Sequence, residues 1–111
     1  MPFTPRLVFV TASSVEEARK LAQAILEKHL AACVNLVPGV ESHYWWQGKL
    51  ETGAEVVMMI KSSAEQFEAL AALVQEQHSY DCPEIVAISP DQISPKYRAW
   101  WEGEVQTHKP A

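Results

Sequence analysis

Ser42-His43-Tyr44-Trp45-Trp46-Gln47-Gly48-Lys49-Leu50 decides the fold. Gln47-Gly48 has the composition of a two-residue hairpin turn, because glycine adopts positive φ at no steric cost. The chain before it is extended from Val40 to Trp46, and further back Ala32-Cys33-Val34-Asn35-Leu36-Val37 reads as a buried strand ending near Pro38-Gly39. The chain after it returns and strengthens into Val56-Val57-Met58-Met59-Ile60. The arms of this hairpin cover residues 32–46 and 50–61, where strands of small domains average about 5–6 residues.

Working outward, each arm is preceded or followed by a helix and a further strand. Leu7-Val8-Phe9-Val10-Thr11 is a β-branched and aromatic run and reads as a buried strand. Ser13 with Glu16, or Ser14 with Glu17, forms a capping box. Behind it Ala18, Leu21, Ala22, Ile25 and Leu26 recur at helical spacing. Beyond the hairpin, Ser62 or Ser63 is expected to cap a second helix with Phe67, Leu70, Ala71 and Val74 on its core face. His78 falls on that face one turn later. Pro83 breaks this helix, and Glu84-Ile85-Val86-Ala87-Ile88 is the last strand. Ser94-Pro95 opens a short helix with Tyr97, Trp100 and Trp101 on it. The order βαββαβ plus a C-terminal helix predicts an α+β fold of the ferredoxin-like, split-βαβ type: an antiparallel sheet with both long helices on one face. A hairpin longer than its sheet exposes strand edges, and Tyr44, Trp45 and Trp46 lie on the overhang. Pairing with another chain is one way to cover such an edge. The alternative is a monomer whose C-terminal helix covers the hairpin.

The 111 residues predict one domain, 1–111, with a core of about 6–103. The tail Thr107-His108-Lys109-Pro110-Ala111 is expected to fray. The net charge of −5 and scattered basic residues argue against a nucleic-acid partner. No apolar run approaches the roughly 20 residues of a membrane span, and the N-terminus lacks a signal-peptide pattern, so the expected compartment is the cytoplasm. The two cysteines, Cys33 and Cys82, form no C-x-x-C pair. Cys33, between Ala32 and Val34, reads as a small buried hydrophobe.

The densest chemistry lies in His78-Ser79-Tyr80-Asp81-Cys82-Pro83-Glu84-Ile85, at a junction of helix and strand. Three readings follow. His78, Cys82 and Glu84 offer nitrogen, sulfur and oxygen ligands suited to copper or zinc, but His-x3-Cys-x-Glu matches no standard zinc spacing. Alternatively, Lys61 meets an anionic group while Trp46 and Tyr80 supply apolar walls of a small-molecule cleft; the plainer role for Lys61 is an ion pair with Glu84 or Glu55. A cysteine–histidine nucleophile pair lacks a third orienting group, so no enzyme is expected; beside these stands a structural interaction module without a physiological metal.

Leu30-Ala31-Ala32-Cys33-Val34-Asn35 leading to Pro38-Gly39 resembles a segment of the CutA divalent-cation-tolerance family. So do residues 42–49, and His78-Ser79-Tyr80 followed by Pro83-Glu84-Ile85. Thr11, Glu55, Lys61, Tyr97 and Trp100 also fit, and the likeness spans residues 7–101. The resemblance implies a homotrimer of PII-like subunits, a role in copper tolerance or divalent-metal binding, and no established reaction. It implies shared polar residues lining clefts between subunits, here Cys33, Trp46, Lys61, His78, Tyr80 and Glu84. In some bacterial members copper ligation is assigned to a cysteine ending the first strand and two consecutive histidines; here those positions hold Val10, Gln77 and His78.

Overall fold

The computed structural model describes residues 2–106. Seven elements follow one another: β1 (Pro5–Ala12), α1 (Val15–Glu27), β2 (Cys33–Trp46), β3 (Lys49–Ser63), α2 (Phe67–Gln77), β4 (Ile85–Ile88) and α3 (Pro95–Gln106). The strands form one antiparallel sheet in the order β2-β3-β1-β4, the split-βαβ arrangement expected from the element order. The five tail residues expected to fray lie outside the described residues.

The hairpin turn is the two-residue one. Trp46 pairs with Lys49, and Gln47 (φ 50) and Gly48 (φ 80) both take left-handed backbone, the combination that matches the twist of the flanking strands. Pro38-Gly39 does not end β2. The register shifts between Val37 and Val40, with Gly39 at φ 77, so the pair makes a bulge and the strand continues. β1 stops opposite Val56, so β3 from Lys49 to Glu55 is paired with β2 alone. That two-stranded length is the overhang.

Alternation sorts the sheet into two faces. Val8, Val10, Ala12, Val56, Met58 and Ile60 point to α1 and α2 and pack there against Leu21, Ile25, Leu70 and Val74. The other face carries Phe9, Val57 and Met59, with Val37, Val86 and Ile88 exposed beside them. Cys33 and Lys61 pair across β2 and β3 on this open face, so Cys33 is half-buried there rather than in the core: Val34, its neighbour, takes the inward position.

One further expectation is corrected and one alternative is set aside. Ser62 and Ser63 do not cap α2. Both still belong to β3; Ser62 Oγ donates to Leu30 O at 2.6 Å, and Ser63 Oγ accepts the Gln66 N–H at 3.2 Å in the turn before the helix. Nor does α3 cover the hairpin. Trp101 and Val105 bury themselves against Phe3, and Trp101 Nε1 donates to Ser62 O at 2.9 Å, at the end of β3 away from the turn. Tyr97 and Trp100 stay exposed, as do Trp45 at 71% and Leu50 at 69% on the overhang.

Candidate functional site

Ser14 caps α1 by accepting the Glu17 N–H at 3.1 Å, which fixes Glu17 in the first turn of the helix. Glu17 Oε1 accepts from Ser13 N–H at 3.0 Å and Ser13 Oγ at 2.8 Å, while Oε2 accepts the Ser79 N–H at 2.7 Å. Partial burial raises its pKa, but these donors outweigh burial and bring it down to about 2. A single carboxylate thus ties the start of α1 to the loop after α2.

His78 sits at that loop's start, its side chain fully buried. Its Nδ1 accepts the Tyr80 N–H at 3.0 Å, which leaves Nε2–H to donate to Thr11 O at 2.7 Å. Glu17 Oε2 lies 3.7 Å from Nδ1. Both ring nitrogens are therefore committed to the backbone, and the imidazole holds the loop instead of presenting a lone pair. Tyr80 stacks on His78 with centroids 4.6 Å apart. Its hydroxyl donates to Glu55 Oε2 at 2.7 Å, and burial together with the Glu55 carboxylate pushes the phenol well above its usual range.

Loop and overhang enclose a cleft of about 570 Å³. Ser42, His43, Tyr44, Trp46 and Glu55 line it from the hairpin, Thr11 from β1, and Tyr80, Asp81, Cys82 and Glu84 from the loop. A groove of about 710 Å³ between α1 and α2 shares no residue with it.

The expected site residues thus fall into three places. Trp46, Tyr80, Glu84 and Cys82 meet at the cleft, and His78 stands behind it as a support. Cys33 and Lys61 lie apart, at the other end of the hairpin. Lys61 pairs with neither Glu84 nor Glu55; its ammonium donates to Asn35 Oδ1 and lies 4.0 Å from Cys33 Sγ. His78, Cys82 and Glu84 do not converge as a metal-binding set: among the described residues no three His, Cys, Asp or Glu side chains are grouped to hold an ion. Val10, at the family's copper-cysteine position, is wholly buried in the core. Sequence reasoning missed Glu17 as a loop anchor and Asp81 as a cleft wall. The capping box marked Glu17 as a helix-start residue, but nothing local shows that Ser79 arrives there.

The family model for the CutA1 divalent ion tolerance protein matches residues 6–104. The chain is 43% identical over 94 residues to the chloroplastic Protein CutA 1 of Oryza sativa subsp. japonica, covering 85% of this chain and 53% of that protein. It is 38% identical over 99 residues to the divalent-cation tolerance protein CutA of Archaeoglobus fulgidus, covering 89% of this chain and 96% of that one. The chain thus spans about half the length of the rice relative and nearly all of the archaeal one. The solved structure of the periplasmic CutA of Archaeoglobus fulgidus superposes with a TM-score of 0.88 at 37% identity, covering 92% of this chain and 99% of that one.

Proposed function

Because the chain belongs to the CutA1 divalent ion tolerance family, we propose that it works in divalent-cation tolerance as a non-enzymatic homotrimer whose cleft between hairpin and loop takes a cationic ligand. The observation that carries this reading is the lining of the cleft: Glu55, Asp81, Glu84 and the thiol of Cys82 face it, with no lysine or arginine among its walls. Copper or zinc bound at Cys82 and Glu84 needs further ligands, which a neighbouring subunit would supply. The trimer is supported by the uncovered apolar sheet face and the aromatic overhang. The absence of a reaction is supported by the chemistry of the two thiols: the imidazole of His78, the expected base, has both nitrogens engaged with backbone.

A second reading, a PII-like module that senses a small molecule, is favoured by the separate Cys33–Lys61–Asn35 cluster, which holds the one lysine among the expected site residues. Membership of the family carries no compartment, since the rice relative is described as chloroplastic and the archaeal structure as periplasmic.

Native mass spectrometry of the parent and of Glu84→Gln/Cys82→Ser, with and without zinc and copper, tests the proposal. A trimer that retains metal, and loses it in the double variant, supports it. A trimer whose metal content is the same in both overturns the cleft as the metal site, and a monomer overturns the assembly.

A further inference from the structure

We propose that His78 is a pH switch for the loop that walls the cleft: one proton taken up at Nδ1 breaks the hold of the ring on Tyr80 and loosens the loop. The switch lies in the loop's own contacts and is independent of which ligand the cleft takes.

The neutral ring has no spare capacity. Its side chain is fully buried. Nε2–H donates to Thr11 O at 2.7 Å, and the Nδ1 lone pair accepts the Tyr80 N–H at 3.0 Å. A proton bound at Nδ1 takes that lone pair, so two N–H groups then face each other across one contact. The Tyr80 amide loses its acceptor. Tyr80 also ties the loop to the hairpin, because its hydroxyl donates to Glu55 Oε2 at 2.7 Å. Freeing its backbone therefore loosens the seam between loop and overhang.

The fold also supplies the second state. Glu17 Oε2 lies 3.7 Å from Nδ1, near enough to accept the new N–H after a small movement of the ring. Glu17, with its pKa down at about 2, is ionised wherever a histidine ordinarily titrates. The buried imidazolium is thus paired, not stranded. The same oxygen accepts the Ser79 N–H at 2.7 Å, so the new bond competes with a second tie of the loop.

The other neighbours add no positive charge. β1 presents the Thr11 carbonyl, α2 accepts the His78 N–H at Val74 O, and Tyr80 stacks on the ring. From β3, Glu55 is joined to it through the Tyr80 hydroxyl. Asp81, Cys82 and Glu84 of the same loop line the cleft. No lysine or arginine is ion-paired with His78 among the described residues.

The test is NMR of the intact, metal-free chain between about pH 8 and pH 5, the range in which imidazoles titrate. Ring nitrogen shifts report the state of His78, and amide protection is corrected for the intrinsic effect of pH. The expected result is a single step in which the ring becomes doubly protonated and Tyr80 protection falls on the order of tenfold. Leu70, bonded to Gln66 O in α2, keeps its protection and serves as the control for global unfolding. In His78→Asn, which can accept the Tyr80 N–H but cannot titrate, the step should vanish. A ring that stays neutral to about pH 5 overturns the proposal. So does protonation that leaves Tyr80 protected, a fall shared by Leu70, or the same step in His78→Asn. Should that variant not fold, the parent's ring shifts and its Tyr80 and Leu70 amides still decide the matter.

Discussion

Glu17 shows how one side chain serves two elements. Its carboxylate accepts three hydrogen bonds from Ser13 and Ser79 and is held ionised down to about pH 2. A pKa lowered on folding gives stability that is complete above the unfolded value of about 4.5 and is lost as pH falls through the folded value. Glu17→Gln is therefore expected to cost about 1–3 kcal/mol at neutral pH. In urea melts the gap from the parent closes between about pH 4.5 and 2; parallel profiles down to pH 2 would show that the ionised state contributes nothing. His78→Ala removes a buried acceptor from the Tyr80 N–H and a donor from Thr11 O, for a loss of about 2–4 kcal/mol. The same variant should release the 78–84 loop to faster amide exchange; unchanged exchange at Tyr80 would contradict the supporting role. The sequence marked Glu17 through its capping box and His78 through its helical phase. It could not show that they meet, because Glu17 and Ser79 lie 62 positions apart and such contacts are set by packing.

At the scale of elements, local chemistry was legible where it acts alone. Gln47-Gly48 requires only its own backbone, and the turn is where the composition puts it. A Cβ at Gly48 would touch nothing within 4 Å, so the cost of Gly48→Ala is the left-handed backbone itself, about 1–2 kcal/mol by chemical denaturation. An unchanged midpoint would mean that the turn relaxes freely. Pro38-Gly39 looked like a strand end because both residues usually are. The long partner strand holds the chain extended on both sides of the pair, so the same residues make a bulge. Ser62 and Ser63 failed as helix caps for a related reason: the ladder to Arg6 and Pro5 claims their backbone before α2 can begin.

For the whole molecule, the question is which aromatic groups belong to the subunit and which to an assembly. The sequence placed Tyr97, Trp100 and Trp101 on one helix without dividing them, since burial depends on a partner, Phe3, almost a hundred residues away. Trp101 is 2% exposed and bonded to Ser62 O, so Trp101→Ala should cost the subunit about 3–5 kcal/mol. Trp45, at 71% exposure, lies outside both buried clusters of the subunit, and Trp45→Glu should leave its secondary structure intact. If the overhang is the trimer contact, that charge cannot be buried there without a large desolvation cost. Light scattering should then report a smaller particle for Trp45→Glu. Its melting temperature should also be lower than the parent's at equal concentration, because assembly no longer stabilises the folded chain by mass action. Trp101→Ala should instead melt early at every concentration while still assembling when cold. A Trp45→Glu protein of parental mass and melting temperature would remove the overhang from the interface and leave only the apolar sheet face to hold the subunits together.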